Sequence, residues 1–311
     1  MKLGFLYAGQ GSQHPGMGAD LYEAYPEFRA VLAGAAVDFD LKEVCFTDAN
    51  GVLNQTRYTQ PCMVAFAAGL TAVLKNRGIT PVVAAGLSLG EYSALHAAGV
   101  FDSQTAIRTV AFRGAAMEKA AEGHVSAMMA VLGLERAPLQ AACEAASAEG
   151  CVVIANYNCP GQLVIGGDKA AVEKAAALAK EAGAKRCLPL KVSGPFHTPL
   201  MASAGDALQA YFQPMTFEQP QIPVLFNCLG KENTEGIPIP DLLVRQGQSS
   251  VFMEDSIRRM AAMGVDAIVE IGPGKALSGF VKKTVAEMPV YAVETVADVE
   301  QMVNLCKEAE A

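Results

Sequence analysis

The chain contains no tryptophan, and aromatic residues make up only 7% of its 311 positions. Only 18% of the residues are charged, against 51% hydrophobic. That balance excludes a disordered chain, which would be poor in apolar residues and rich in charge. No basic excess is present either: 24 Lys and Arg face 32 Asp and Glu, a net charge of −8. Nucleic acid and anionic membrane both select basic footprints, so neither is expected as the main partner. An uncharged stretch, Tyr58–Leu74, has 17 residues and includes Thr59, Gln60, Pro61 and Thr71. It reads as a buried helix rather than a membrane span. The apolar run at residues 3–8 is too short for a signal peptide. The eight cysteines, at 45, 62, 143, 151, 159, 187, 228 and 306, form no CxxC pair and no spacing that suits zinc. Reduced thiols in a cytoplasmic protein are expected, with no metal and no resident cofactor. Four histidines leave few candidates for a catalytic base.

What is present is an alternation of short apolar runs and helical patterns. Residues 2–8 read as a buried strand, followed by a Gly/Gln-rich loop to Gly18 and helical patterns at 19–36 and 60–77. Pro61 suits the first turn of the second of these helices. Pro81 to Ala85 reads as a strand ending at Gly86, with a helix from Glu91 that Gly99 stops. Asp102 is the expected N-cap of a helix over 103–121. This order predicts an α/β domain with a largely parallel sheet. The middle of the chain differs. Strands at 126–133, 151–158, 162–167 and 184–192 frame helices at 135–148 and 168–183, the second capped by Asp168. The order β-α-β-β-α-β is that of a ferredoxin-like unit. The expected organisation is therefore a main domain of residues 1–124 and 195–311, interrupted by a small subdomain at 125–194. A strand at 265–271 precedes Gly272-Pro273-Gly274 and a further helix.

Gly86-Leu87-Ser88-Leu89-Gly90 matches G-x-S-x-G after an apolar strand and before a helix, the setting in which a serine nucleophile is held on a sharp turn. A serine nucleophile needs a base and an oxyanion hole. The backbone N–H of Leu89 is one candidate donor, and the loop Gly9-Gln10-Gly11-Ser12-Gln13 could supply a second. That loop also begins as G-x-G, but His14 breaks the dinucleotide pattern, and no G-x-x-x-x-G-K-[ST] occurs. For the base, His197 lies between Pro195 and Pro199, and His14 is its rival near the Gly-rich loop. His96 reads as packed and His124 as a turn residue. On the helix at 103–121, Ala106, Val110, Arg113 and Met117 share one face, so Arg113 interrupts an apolar stripe. A buried guanidinium needs an anion. Glu91 and a substrate carboxylate are the two readings.

In this order, these pieces resemble the malonyl-CoA:acyl carrier protein transacylases. The resemblance is carried by Gly9–Gln13, Tyr58–Pro61, Gly86–Leu95 (GLSLGEYSAL), Arg113-Gly114 and Asn156–Gly161 (NYNCPG). Gly194–Met201 (GPFHTPLM), Val244–Gln246 and Glu270–Gly279 (EIGPGKALSG) complete it. It covers essentially the whole chain. It implies an α/β-hydrolase-like large domain with an inserted ferredoxin-like subdomain. It further implies Ser88 as nucleophile and His197 as base, a Ser–His dyad without a carboxylate. Gln10 and the Leu89 N–H would form the oxyanion side, Arg113 would hold the malonyl carboxylate, the Gln246 carbonyl would orient the histidine, and Gln60 would be a polar site residue. Malonyl-CoA and holo-acyl carrier protein are the implied partners of a cytoplasmic monomer in fatty acid biosynthesis. The alternatives are a trans-acting malonyl acyltransferase of a polyketide pathway and a serine thioesterase or hydrolase. Phe196 resembles the malonyl-type rather than the methylmalonyl-type enzymes. Two positions depart from the family's frequent pattern: Leu87 where His often precedes the serine, and Ala8 where Pro often precedes Gly9. The inferred partners are anionic although the chain is acidic, so local bases such as Lys185, Arg186, Lys191, Lys275, Lys282 and Lys283 are candidates for steering.

Overall fold

The computed structural model describes residues 1–309. Its strands are β1 (Leu3–Tyr7), β2 (Pro81–Gly86), β3 (Ser126–Leu132), β4 (Val152–Cys159), β5 (Gln162–Asp168) and β6 (Arg186–Pro189). They continue with β7 (Val224–Phe226), β8 (Lys231–Glu232), β9 (Val251–Phe252), β10 (Ala267–Ile271) and β11 (Val290–Val293). The chain divides into two units. One takes Met1–Gly114, Thr216–Phe226 and Ile257 onward, and the other Ala115–Met215 and Asn227–Ser256.

In the first unit the strands run in the order β11-β10-β1-β2-β7, and every pairing is parallel. All five residues of β1 and of β10 are buried. Continuous burial is the signature of a parallel strand covered on both faces, which explains why LGFLY and AIVEI show no polar alternation. The helix Thr56–Asn76 buries most of its residues against this core. It starts four residues before the expected position, so Pro61 lies inside it rather than in its first turn. The carbonyl of Gln55 already accepts from the Thr59 N–H at 2.9 Å, which starts the helix upstream. The single helix expected at 19–36 is two, Ala19–Ala24 and Pro26–Ala33, because Tyr25 is extended before a proline. Asp102 caps the helix Ser103–Ala121 as expected, accepting the Thr105 N–H at 2.7 Å. Among the described residues no helix is long and apolar enough to cross a membrane.

Glu270 is an unusual tenant of the buried β10. Its two carboxylate oxygens accept the N–H groups of Leu277 at 3.0 Å and Ser278 at 2.7 Å, at the start of the helix Ala276–Thr284. Burial raises its pKa, while these hydrogen bonds counter the rise. The arrangement fixes the turn Gly272–Lys275 to the sheet. Replacing Glu270 with Ala removes the acceptor for two buried N–H groups and is expected to cost about 1–3 kcal/mol of stability, read as a lower urea midpoint with an unchanged slope.

In the second unit β3, β4, β5 and β6 lie in the order β6-β3-β5-β4, with antiparallel neighbours. That is the ferredoxin-like arrangement read from the chain order. Helices Arg136–Ala146 and Lys169–Glu181 pack on one face through Leu139, Cys143, Val172 and Ala175 against Val131, Ile154 and Ile165. The unit extends beyond 125–194 for two reasons. β9 adds to β4 in parallel, and Phe196, Met201 and Ala204 pack with Met128, Ala155 and Val164. Asp168 precedes its helix, but its side chain makes no cap bond; it accepts instead from the Cys151 N–H at 2.8 Å.

Candidate active site

The first unit places Ser88 on the sharp turn between β2 and the helix Gly90–Ala97. Ser88 has φ 52°, a left-handed backbone that non-glycine residues rarely adopt. Such strain persists only where the surroundings impose it. The two glycines of the motif show how. A Cβ on Gly86 would overlap the Gly90 carbonyl, and one on Gly90 would overlap the Tyr7 carbonyl oxygen. Strand and helix can close on each other, and on β1, only with both side chains absent. The Leu87 N–H donates to the Tyr7 carbonyl at 3.0 Å, carrying the β1–β2 pairing into the turn. Leu89, next in sequence, is buried, and its N–H belongs to the end of the helix where donors lack intrahelical partners.

Arg113 comes to the same place. Its Nη2 donates to the Ser88 Oγ at 3.3 Å, and its guanidinium lies over the Tyr92 ring, 5.3 Å from the centroid. Arg113 is only 1% exposed, and Ala106, Val110 and Met117 on the same helix face are buried with it. Burial lowers its pKa, while Tyr92 and Glu91 pull it back toward the charged form. Burial also pushes the Tyr92 phenol up to about 12. Glu91 contributes to the electrostatics of Arg113, and the guanidinium also reaches the Ser88 hydroxyl. Gly114 explains how the helix approaches so closely, because a Cβ there would lie 2.8 Å from the Thr56 carbonyl oxygen. Thr56 in turn accepts from Gln10 Nε2 at 3.0 Å. Gln10 thus stands in the loop after β1, the strand that neighbours β2, where the carboxyl ends of parallel strands gather their ligands. Gln60 is buried on the helix that carries Thr56.

The second unit holds His197 and Gln246. His197 has φ 62°, and with Asp48 and Ser88 it makes up the non-glycine residues of positive φ among the described residues. Its Nδ1 lies 2.9 Å from the Gln246 carbonyl oxygen. A carbonyl only accepts, so Nδ1 carries a proton, and in the neutral ring Nε2 is the nitrogen that accepts one. The His197 N–H also donates to the Gly247 carbonyl at 3.3 Å. Both residues are buried. The imidazole is thereby set as the tautomer a general base requires, with a backbone carbonyl in the place a carboxylate often takes.

Two contributors escaped the sequence reading. Thr56 gave no signal of its own, since its role depends on Gln10 arriving from another loop. Tyr92 did carry one: it lies four residues after Ser88 and one after Glu91, on the helix that opens at the elbow.

A strand, a strained serine and a helix in this order form the elbow on which α/β-hydrolase-like enzymes carry a serine. The acyl transferase domain family matches residues 4–307. The chain is 39% identical over 310 residues to the malonyl CoA-acyl carrier protein transacylase of Bacillus subtilis, covering 99% of this chain and 98% of that one. It is 43% identical over 296 residues to the enzyme of the same name from Escherichia coli, covering 94% and 96%. The crystal structure of the malonyl CoA-acyl carrier protein transacylase from Clostridium perfringens superposes with a TM-score of 0.96 at 36% identity, covering 100% of this chain and 98% of that one. The chain belongs to the acyl transferase family, and within it to the malonyl CoA-acyl carrier protein transacylases.

Proposed function

We propose that the protein transfers the malonyl group of malonyl-CoA to the phosphopantetheine thiol of acyl carrier protein, as a cytoplasmic monomer of fatty acid biosynthesis. The observation that carries this reading is the buried Arg113 guanidinium at 3.3 Å from the Ser88 hydroxyl. An acyl group esterified to that hydroxyl extends beside a fixed cation, and malonyl ends in a carboxylate that a guanidinium fork can grip through two bonds.

In this scheme Ser88 Oγ attacks the thioester carbonyl while His197 Nε2 takes its proton. The oxyanion rests on the Leu89 N–H and the Gln10 side. The carbon–sulfur bond breaks, the CoA thiolate takes the proton from His197, and a malonyl-serine ester remains. His197 then removes the proton of the carrier thiol, whose sulfur attacks the ester, and Ser88 leaves with the proton returned. The steps are ping-pong and balanced. Gln246 acts through its carbonyl on the His197 tautomer, and Gln60 serves as a polar neighbour of the acyl group. Neither a metal nor a cofactor takes part.

The test is a transfer assay with malonyl-, methylmalonyl- and acetyl-CoA, run with and without holo-carrier protein. Fast malonyl transfer with slow hydrolysis is expected. Hydrolysis that matches transfer would instead identify a thioesterase.

A further inference from the structure

Glu294, at the end of β11, holds two separate loops. One carboxylate oxygen lies 2.6 Å from His14 Nε2, and the other accepts the Gly274 N–H at 2.9 Å. His14 belongs to the loop that carries Gln10, and Gly274 to the turn anchored by Glu270. The other ring nitrogen, His14 Nδ1, lies 3.0 Å from the Pro15 carbonyl. Both ring nitrogens therefore face oxygens that only accept, a carbonyl and a carboxylate. Both are satisfied at once only when the ring carries both protons. The same loop is pinned to the site by Gln10 Nε2, which donates to Thr56.

We propose that His14 and Glu294 form a charged latch that holds the Gln10 loop against the turn at Gly274, which makes His14 a positioning residue for the oxyanion-side donor. The inference rests on the reading of Gln10 in the proposed function. The pair is partly open to solvent, with side-chain exposures of 50% and 21%. It is therefore a modest device, worth about two- to five-fold in the population of the latched loop.

The Pro15 carbonyl and then Glu294 raise the His14 pKa above that of a free imidazole. The latch is thus fully present below the ordinary imidazole value and is released as pH rises through the raised one. The surrounding ionisable groups do not compete for the ring. Asp298 accepts the Glu294 N–H at 3.1 Å, Asp20 accepts the Val296 N–H at 2.8 Å, and Glu270 is bound to Leu277 and Ser278. Lys275 is the base that follows Gly274 in the chain. His197 acts in the opposite sense, because a general base gains competence as pH rises.

The experiment is single-turnover malonylation of Ser88 by malonyl-CoA without carrier protein, across the range in which imidazoles titrate. The wild-type rate is expected to match that of His14→Arg on the acidic side and to fall about two- to five-fold below it on the alkaline side, the rise that His197 gives being common to both. His14→Gln and Glu294→Gln should lack this limb, keeping only the rise with pH that His197 gives every variant, about two- to five-fold below His14→Arg at each pH. His14→Arg keeps a charge at all these pH values and should stay at the higher level. Nitrogen NMR of His14 should show its titration moving down in Glu294→Gln. An alkaline limb that survives in His14→Gln, or a His14→Arg protein no faster than His14→Gln, overturns the latch. A limb that survives in Gln10→Ala overturns its action through Gln10. If no variant and no pH gives malonylation, the functional reading fails. The NMR titration still decides the latch in that case: a His14 that titrates as a free imidazole refutes it.

Discussion

Ser88→Ala is expected to abolish malonyl transfer, with a loss of about 10⁴- to 10⁶-fold, the range that follows removal of a nucleophile from a serine enzyme. The substitution isolates chemistry from folding. Alanine also carries a Cβ, so the strain at φ 52° stays as it was, and Ser88 is only partly buried. The melting temperature should therefore move little. His197→Ala should fall to a similar level, since nucleophile and base act as a unit. The double variant should lose little more than either single one. The check is the steady-state transfer rate of the three variants beside their thermal melts. A Ser88→Ala protein that keeps more than about a hundredth of the wild-type rate would contradict the assignment.

Arg113→Ala carries the second large effect, and it concerns selectivity. The guanidinium is buried beside the Ser88 hydroxyl. A malonyl carboxylate placed there gains a charge-assisted bond of about 1.5–3 kcal/mol, or roughly ten- to a hundred-fold. Acetyl offers nothing for the guanidinium to bind. Removal of Arg113 should lower kcat/KM for malonyl-CoA by this factor and leave the value for acetyl-CoA unchanged or raised. Arg113→Lys should recover only part of the loss, because an ammonium is a point charge without the planar fork. The measurement is the ratio of the two kcat/KM values. A ratio that Arg113→Ala leaves intact would show that the clamp lies elsewhere. Stability enters as a control, since Arg113 also lies over the Tyr92 ring.

Local patterns made much of this legible. The G-x-S-x-G elbow could be read because its glycines are demanded by backbone contacts within a few residues and by the adjacent strand. The apolar stripe through Arg113 could be read because a helix repeats its face every three to four residues. The β-α-β-β-α-β order of the second unit followed from alternating periodicities, and the sheet order β6-β3-β5-β4 agrees with it. The illegible parts are long-range. The wider extent of the second unit comes from Val251 and Phe252 pairing with β4 and from Phe196 and Met201 packing beside Ala155. No local signal announces either. The Asp168 side chain turned from its expected cap to Cys151 because the two lie on adjoining strand ends. Thr56 meets Gln10 across 46 positions of sequence, and Glu294 meets His14 across 280. Such partners are chosen by the fold after the elements have formed.

The proposed transfer requires a covalent ester at one hydroxyl, that of Ser88. Mass spectrometry of the protein mixed with malonyl-CoA in the absence of carrier protein tests it directly. The predicted result is a single malonyl adduct, mapped to the peptide that contains Ser88, absent from Ser88→Ala and discharged when holo-carrier protein is added. An adduct on any other residue, or transfer to the carrier protein by the Ser88→Ala protein, would contradict it.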